Sequence, residues 1–333
     1  RAPAADRPSA DMTAGAGSRR APFPARLGAA YAGGRKKRAR SGFGYLLVLL
    51  GACCWSLGGL FVRSTEDIDA WQIIFYRSWV VLIAMGGFMA LRYRSRLTNV
   101  FREAGLNAAI AGIALGLAGL TFVMALFYTT VAQAIFMVGI APFTAAMLGR
   151  WILGERVKSA TWMAMAIALG GLSIMLWGTT GGGFNGNVLA LYSAFCFSCY
   201  SVLLRWGQNT DMTASIVWNA IFLIAFGTVV LLVPNALRGG AGTATLLVGW
   251  WNFIIIAAMG LVQLSIGLVL FTKGSKTVPA AELALLALAE PMLAPIWVWL
   301  AFGEVPAATT LIGGAVILTA LVFQILSTAR REF

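Results

Sequence analysis

Long runs of apolar residues, broken by short polar, Gly-containing or Pro-containing stretches, make up most of the chain after residue 42. A helix needs about 20 apolar residues to cross a hydrocarbon core roughly 30 Å thick. By that measure the runs predict ten transmembrane helices, at 43–63, 70–91, 105–127, 128–149, 157–177, 187–206, 213–234, 248–272, 279–302 and 306–328. The third and fourth are counted separately because together they are far too long for one crossing. The pattern therefore predicts an all-α, polytopic membrane protein.

The composition agrees with this class and narrows the chemistry. Of the 333 residues, 59% are hydrophobic and 11% are charged, and the mean hydropathy is +0.82, whereas soluble domains carry about 25% charged residues. The chain contains no histidine, which excludes His-based catalytic triads and His-ligated metals. We therefore expect no enzymatic activity, no metal site and no cofactor. Among possible functions of such a membrane protein, a membrane-embedded enzyme and a non-transporting scaffold are the less favoured ones.

The basic residues are distributed very unevenly between the predicted loops. If residues 1–42 are cytoplasmic and all ten helices cross, 22 of the 25 Lys and Arg residues lie on the cytoplasmic side, and Arg63 and Arg238 lie outside. Arg77, the remaining cation, falls within the second helix. Because cytoplasmic loops carry an excess of Lys and Arg, we predict cytoplasmic N and C termini in a bacterial inner membrane.

Residues 1–42 differ in composition from the rest of the chain. They hold ten of the Lys and Arg residues, are rich in Ala, Gly, Pro and Ser, and contain few large apolar residues. This composition is typical of disorder, and the basic cluster at 35–40 can lie against anionic headgroups. We predict a disordered basic cytoplasmic tail that contacts the lipid bilayer, with no nucleic acid as partner.

The two halves of the chain repeat each other. Residues 44–69 align with 186–211 without a gap, 142 residues apart, and the alignment places Arg63 on Arg205. Further along, Gly116 matches Gly260, and the run Gly154-Glu155 matches Gly303-Glu304. Predicted helices one to five and six to ten are therefore copies.

Each copy contains an odd number of helices, which has a consequence for topology. The second copy must enter the membrane from the opposite side, so the pair forms an inverted repeat with a pseudo-twofold axis in the membrane plane. We predict a first repeat at 43–180 and a second at 181–333. Two inverted repeats have two equivalent packings, and exchanging them opens a midplane site to each side in turn.

Two matching motifs resemble a known family. The stretch Ala125-Leu-Phe-Tyr-Thr-Thr-Val-Ala-Gln-Ala134, followed by Ala141-Pro142 and Leu153-Gly154-Glu155, is similar to the fourth-helix signature of EamA-type carriers in the drug/metabolite transporter superfamily. Ala289-Glu290-Pro291 and Phe302-Gly303-Glu304 form its partner in the second half. The resemblance covers about residues 44–328. It implies a ten-helix carrier, usually an exporter of amino acids or related metabolites, with a central cavity lined by helices 1, 3, 4, 6, 8 and 9.

Three ionisable residues at bilayer depth, Glu290, Arg77 and Glu282, are candidates for function, because each costs at least about 2.5 kcal/mol to insert. Glu282 lies only about one turn into the ninth predicted helix from the cytoplasmic side, where an interfacial ion pair with Lys273 or Lys276 is the favoured role. Glu290 lies at the centre of the ninth predicted helix, just before the helix-kinking Pro291. We predict that it binds substrate and couples transport to protons; alternatively, it caps backbone groups freed by Pro291 or pairs with a cation. Arg77 can bind a substrate carboxylate or extend toward Asp69. Pro142 and Pro291 are the candidate hinges.

Neutral polar and aromatic residues lie at similar depth and complete the predicted binding site. An aromatic wall with hydroxyl and amide groups suits a zwitterionic or aromatic metabolite. The predicted substrate-binding residues, in addition to Glu290, are Trp55, Ser56, Thr121, Gln133, Phe197, Ser198, Gln263 and Ser265. Interhelical packing is an equally simple explanation for Trp55 and Phe197.

These observations together predict a secondary active transporter. It exports amino acids, neutral or aromatic, or similar small metabolites across the inner membrane by alternating access, and protons are the predicted coupling ion. An uncoupled facilitator of small metabolites is the alternative.

Overall fold

All regular secondary structure in the part of the chain described by the computed structural model is helical. Residues 42–66, 68–177, 183–232 and 248–329 are described. The predicted tail lies outside these ranges except for Gly42, where the first helix begins. The helices are α1 (Gly42–Ser56), α2 (Gly58–Arg63), α3 (Ala70–Tyr93), α4 (Leu97–Ala125), α5 (Val131–Val138), α6 (Ala141–Leu153), α7 (Ser159–Leu176), α8 (Phe184–Trp206), α9 (Ala214–Leu232), α10 (Trp250–Ala258), α11 (Gly267–Gly274), α12 (Ala280–Ala287), α13 (Ala289–Phe302) and α14 (Ala308–Ala329), with a π-helix at Met259–Ile266.

The helices are long and apolar enough for a multi-pass membrane protein. Among the described residues, eight helical stretches qualify as membrane spans by length and composition. One of them, Ala70–Ala125, is 56 residues long and contains both α3 and α4. A shorter apolar helix covers Ala214–Val230. The predicted all-α, polytopic class is confirmed at this level.

The chain changes direction between α3 and α4. A short 3-10 turn, Arg94–Arg96, joins them, and Arg94 has a left-handed φ of 44° with ψ −118°, which is incompatible with a continuous α-helix. Gly105 interrupts α4 in the same way, with φ 56° and ψ −154°, a conformation that glycine adopts without a Cβ clash. The long apolar part of α4 thus starts at the position where the sequence predicts the third membrane helix to begin.

Three of the predicted membrane helices are broken near their middle. The breaks fall at Leu57 between α1 and α2, at Gly139 and Ile140 between α5 and α6, and at Leu288 between α12 and α13. Two of the breaks precede a proline by a few residues: Pro142 is the second residue of α6, and Pro291 the third of α13. A proline ring clashes with the carbonyl four residues earlier, and proline is tolerated in the first turn of a helix. Each proline therefore ends the preceding helix and starts a new one.

The last long helices of the two halves, α7 and α14, pack closely through glycines. Gly171 of α7 packs against the backbone of Gly313 and the side chain of Ile317, both in α14. Gly313 in turn packs against the backbone of Gly171 and the side chain of Met175. A side chain at either glycine would therefore collide with the facing helix, so the two backbones approach closely only because both positions lack a Cβ. Helices α6 and α13, which the repeat relates, both end on a left-handed glycine, Gly154 with φ 66° and Gly303 with φ 71°.

The long helices connect two opposite ends of the helical bundle. At one end, which we call the Arg205 end, the start of α1 at Gly44 packs against Thr277, and Arg205 at the end of α8 hydrogen-bonds to Lys276. At the other end, the Arg63 end, the start of α8 packs against Thr129, and Arg63 pairs with Glu304 beyond α13. Helix α1 packs mainly on α11 and α13, whereas α8 packs on α4, α5 and α6.

Candidate functional site

Four aromatic rings from α1, α8 and α11 form a cluster between the two halves of the chain. The ring centroids of Trp55 and Phe271 are 4.8 Å apart, and Phe197 lies 6.2 Å from Trp55 and 5.9 Å from Phe271. Tyr200 stacks on Phe271 at 6.2 Å. These separations are typical of interacting aromatic pairs. The structure thus brings the predicted Trp55 and Phe197 together and adds Tyr200 and Phe271, which the sequence reading missed.

The two predicted serines hold the broken helices in place. Ser56 Oγ accepts a hydrogen bond of 2.7 Å from Trp297 Nε1 of α13 and donates one to Cys53 O. Ser198 Oγ lies 2.5 Å from Thr144 Oγ1 of α6. Both serines are almost fully buried, so in this conformation their hydroxyls are engaged between helices. Ser56 thus ties α1 to α13, and Ser198 ties α8 to α6. Helices α6 and α13 are the ones that start at the proline breaks.

Gln263 places unpaired polar atoms beside the aromatic cluster. Its Nε2 donates a 3.2 Å hydrogen bond to Trp55 O, and its Oε1 is buried without a hydrogen-bond partner. Trp55 Nε1 is also buried and unpaired. Gln263 lies in the π-helix Met259–Ile266, and π-helical turns recur at functional sites. A buried acceptor and a buried donor next to aromatic rings can hydrogen-bond a polar ligand.

Three other predicted residues make hydrogen bonds within their own part of the chain. Thr121 donates to Leu117 O of its own helix at 2.7 Å, and Ser265 donates to Gly260 O at 2.8 Å within the π-helix. Gln133 is in the first turn of α5, where its Oε1 accepts a 3.0 Å hydrogen bond from Thr129. A role in substrate binding for Thr121, Gln133 and Ser265 stays a prediction.

Glu290 lies just past the break between α12 and α13. It is the second residue of α13 and is half-buried. Ala294 and Val298 of the same helix lie next to Gly59 of α2, and Trp297 reaches Ser56. Residues spaced by three, four and seven share one helix face, so Glu290 belongs to the face of α13 that meets α1 and α2. The predicted hinge residues Pro142 and Pro291 both lie at breaks of this kind.

Repeat-related helices are packed very differently at the two ends. All eight residues of α12 are buried, whereas Ala134 alone is buried in α5, the helix 149 residues earlier. Six residues of α6 are buried, but only Ala289 in its counterpart α13. Likewise, α1 has seven buried residues and α2 has none. The interior is therefore tightly packed toward the Arg205 end and loosely packed toward the Arg63 end.

Two ion pairs related by the repeat mark these ends. At the packed end, Arg205 Nε donates to Glu155 Oε1 at 2.7 Å, and the two side chains are 17% and 15% exposed. At the loose end, Arg63 Nη2 lies 2.5 Å from Glu304 Oε1, and these side chains are 61% and 49% exposed. Each pair joins residues from different halves of the chain. The alignment of the two halves matches Arg63 with Arg205 and Glu155 with Glu304. It does not indicate that each arginine pairs with the glutamate of the other half.

A small pocket lies at the packed end, away from the aromatic cluster. None of the predicted substrate-binding residues lines it. Its walls come from α6, the start of α12 and the 155–157 segment, with the carboxyl groups of Glu155 and Glu282 among them. Glu282 accepts a hydrogen bond from Tyr45, so it is engaged in closing this end.

Comparison with known proteins establishes the family. Residues 42–177 and again residues 184–326 match the EamA-like transporter family. The chain belongs to this family. The predicted resemblance is confirmed, and the protein is a multi-pass membrane transporter that acts on a small-molecule substrate in a lipid bilayer.

Individual relatives of this EamA-like transporter are similar along most of their length. An uncharacterised transporter of Archaeoglobus fulgidus is 28% identical over 83% of this chain and 94% of its own. The pseudopaline exporter CntI of Pseudomonas aeruginosa is 26% identical over 84% and 94%. The protein RarD of Streptomyces exfoliatus is 27% identical over 72% and 74%.

Among solved structures, a crystal structure is similar to this EamA-like fold. It superposes with a TM-score of 0.67, covers 87% of this chain and 99% of the other, and shares 20% sequence identity. At this identity the likeness concerns the fold alone.

Proposed function

We propose that this EamA-like transporter is a secondary carrier that exports small zwitterionic or aromatic metabolites, such as neutral or aromatic amino acids, by alternating access. The observation that carries the proposal is the unequal packing of repeat-related helices: every residue of α12 is buried, whereas most residues of α5 are only partly buried and Ala134 alone is fully so. In a carrier built from inverted repeats, one copy packs tightly at the closed end while the other packs loosely at the open end. The opposite state exchanges these two arrangements, so unequal packing of the two copies is expected in either state.

Ten crossings in two inverted repeats are part of this proposal. Division of the 56-residue stretch at Arg94–Arg96, together with α9, brings the number of spans to ten. The contacts support the inversion, because Arg63 and its repeat mate Arg205 lie at opposite ends of the bundle. The two family matches, 42–177 and 184–326, support the predicted division into repeats at 43–180 and 181–333.

The charge distribution supports the orientation. Arg205, Lys273 and Lys276 lie at or near the packed end, and this end also carries the exposed Arg156. Because basic loops stay on the cytoplasmic side, we place the Arg205 end and both termini in the cytoplasm of a bacterial cell. The loosely packed Arg63 end then faces outward across the inner membrane.

The proposed substrate site lies at the aromatic cluster, where the packed half of the interior meets the loose half. Trp55 and Phe197 offer apolar ring surface, and Gln263 Oε1 and Trp55 Nε1 offer an unpaired acceptor and donor. Ser56 and Ser198 would be released to bind substrate when the broken helices move. Pro142 and Pro291 are the proposed hinges, since each starts the mobile segment of a broken helix.

Glu290 is the proposed coupling residue. It is a half-buried carboxyl on the face of α13 that meets α1 and α2, at the level of the helix breaks. A carboxyl group at bilayer depth is energetically costly, which marks it as a candidate functional group, and a group that gains and loses a proton there can link proton entry to substrate exit. An exporter among the relatives, CntI, supports the outward direction of transport.

The experiment that tests this function is efflux from proteoliposomes loaded with radiolabelled amino acids, measured with and without a pH step. We expect efflux of at least one neutral or aromatic amino acid, stimulated by the pH step. Glu290→Gln should abolish the stimulated component while the protein still assembles, and Glu66→Gln, an exposed carboxyl outside the helices, should leave it unchanged. Full pH-stimulated activity of Glu290→Gln would remove Glu290 from coupling, and efflux indifferent to pH in the parent protein would identify a facilitator.

A further inference from the structure

Besides a hydrogen bond from Arg205 to Gln208, the Arg205 pair makes two hydrogen bonds to the chain that leads into α12. Glu155 Oε2 accepts a 3.2 Å hydrogen bond from the N–H of Ala280, the first residue of α12. Arg205 Nη1 donates a 2.6 Å hydrogen bond to Lys276 O, just beyond the end of α11. Both partners belong to one short segment, 276–280, which leads into the broken helix α12–α13. The ion pair therefore holds this segment in the closed position.

Each of these bonds has a clear physical basis. The first N–H groups of a helix lack a partner within the helix, and a carboxylate that accepts from them is favoured by the helix dipole. A guanidinium group carries five N–H donors, so Arg205 can bind a carboxylate and a backbone carbonyl at the same time. The pair can therefore take up or release the segment 276–280 and stay intact.

The repeat assigns an equivalent segment to the Arg63 pair. Helices α5 and α12 are both eight residues long and start 149 residues apart, so the counterpart of 276–280 is 127–131. In this conformation Arg63 Nε and Nη2 both bond to Glu304 Oε1. Among the described residues, neither Arg63 nor Glu304 hydrogen-bonds to the segment 127–131. The side chains of Phe127 and Val131 are more than half exposed.

We propose that the two ion pairs are reciprocal latches, of which one is engaged at a time. In the conformation described here the Arg205 pair holds 276–280 and closes its end. In the opposite conformation Glu304 accepts from the N–H of Val131, Arg63 donates to Phe127 O, and the Arg205 pair releases 276–280. This inference rests on the proposed function, because it needs two states that exchange the environments of the repeats.

Disulfide trapping tests the latches in a background in which Cys53, Cys54, Cys196 and Cys199 are replaced by alanine. The pair Glu155→Cys/Ala280→Cys reports the contact seen here. The pair Val131→Cys/Glu304→Cys reports its counterpart in the opposite state. As a control, Phe184→Cys/Glu304→Cys joins two exposed positions of the Arg63 end for which the repeat predicts no contact. Each purified variant is oxidised with copper phenanthroline and its cross-linked fraction is measured.

We expect both latch pairs to cross-link and the control pair to stay uncross-linked. Glu155→Gln, added to the Val131→Cys/Glu304→Cys variant, should accelerate its cross-linking several-fold, because the packed end is then held less firmly. Glu103→Gln, at an exposed carboxyl, should leave the rate unchanged. Cross-linking of Val131→Cys/Glu304→Cys no faster than the Phe184→Cys control would overturn the inference, whether or not Glu155→Gln folds.

Failure of the latches can be told apart from failure of the proposed function. Trapping is measured without substrate, and amino-acid efflux is measured on the same variants before oxidation. If amino acids are exported but the Val131–Glu304 cross-link does not form, the proposed function stands and the latch inference is wrong. If the cross-link forms but no amino acid is exported, the latch inference stands and the proposed substrate class is wrong.

Discussion

Single polar side chains decide how the broken helices meet at the aromatic cluster. The indole N–H of Trp297 is the clearest case, since it donates to Ser56 Oγ and thereby ties α13 to α1. The bond is remote in sequence, because its partners are 241 positions apart. Its counterpart on the other side joins Ser198 to Thr144. Two hydroxyls at equivalent positions of the repeats thus fix two equivalent helix breaks, with different partner residues.

Trp297→Phe should lower the stability of the protein by about 0.5–1.5 kcal/mol, because it removes this hydrogen bond but keeps an aromatic ring. Trp299→Phe, two residues further along and exposed, is the matched control and should change stability much less. Thermal unfolding in detergent, followed by scanning fluorimetry, measures both. In a Ser56→Ala background the effect of Trp297→Phe should shrink. Equal losses for the two tryptophans would show that the bond contributes nothing.

At the scale of whole helices, the connections outside the membrane also carry specific contacts. The connection from α8 to α9 is fixed by Asp211, which accepts hydrogen bonds from the N–H of Thr213 at 3.0 Å and from the Tyr93 hydroxyl at the end of α3. Partial burial acts to raise the pKa of Asp211. The hydrogen bonds from Thr213 and Tyr93, with the nearby charge of Lys276, outweigh burial and hold that pKa below its ordinary value of 3.8.

The lowered pKa predicts how Asp211 contributes to stability. A carboxyl group with a lower pKa in the folded state stabilises the protein above its unfolded pKa, and that contribution is lost as the pH falls through the folded pKa. Asp211→Asn should therefore cost up to about 1 kcal/mol near neutral pH. The difference from the parent protein should disappear in strong acid. Unfolding of both proteins across a pH series measures this, and a difference that is constant with pH would contradict it.

Tyr93→Phe provides the control for this contact. It removes the phenolic donor and leaves the Thr213 bond, so Asp211→Asn should cost less in the Tyr93→Phe background than in the parent protein. Additive effects of the two substitutions would show that the Tyr93 hydroxyl does not contribute to the low pKa.

For the molecule as a whole, the sequence alone was enough to predict the apolar helices and the repeat, because both are patterns of residue type along the chain. The predicted third helix begins at the break at Gly105, and the two proline motifs mark the breaks at Pro142 and Pro291. The match of Glu155 with Glu304 agrees with their equivalent positions beyond α6 and α13.

Contacts between distant helices were not readable in this way. Phe271 joins Trp55 only because α11 packs on α1, and Trp297 reaches Ser56 only because α13 does. The π-helix at Met259–Ile266, which places Gln263 beside Trp55, has no counterpart in the apolar pattern. The cross-repeat ion pairs depend on the same packing. Periodicity reports which face of a helix is apolar, and the identity of its partner helix depends on tertiary packing.

Inverted repeats place equivalent positions of the two copies on opposite sides of the membrane, which cysteine labelling can detect. Arg156 and Val305 are exposed residues 149 positions apart, each directly after one of the two latch glutamates. Single cysteines at these positions, Arg156→Cys and Val305→Cys in the cysteine-free background, are treated with a membrane-impermeant maleimide in spheroplasts and in inverted membrane vesicles. We expect Val305→Cys to be labelled in spheroplasts and Arg156→Cys in inverted vesicles. Labelling of both positions from the same side of the membrane would show that the two repeats are not inverted.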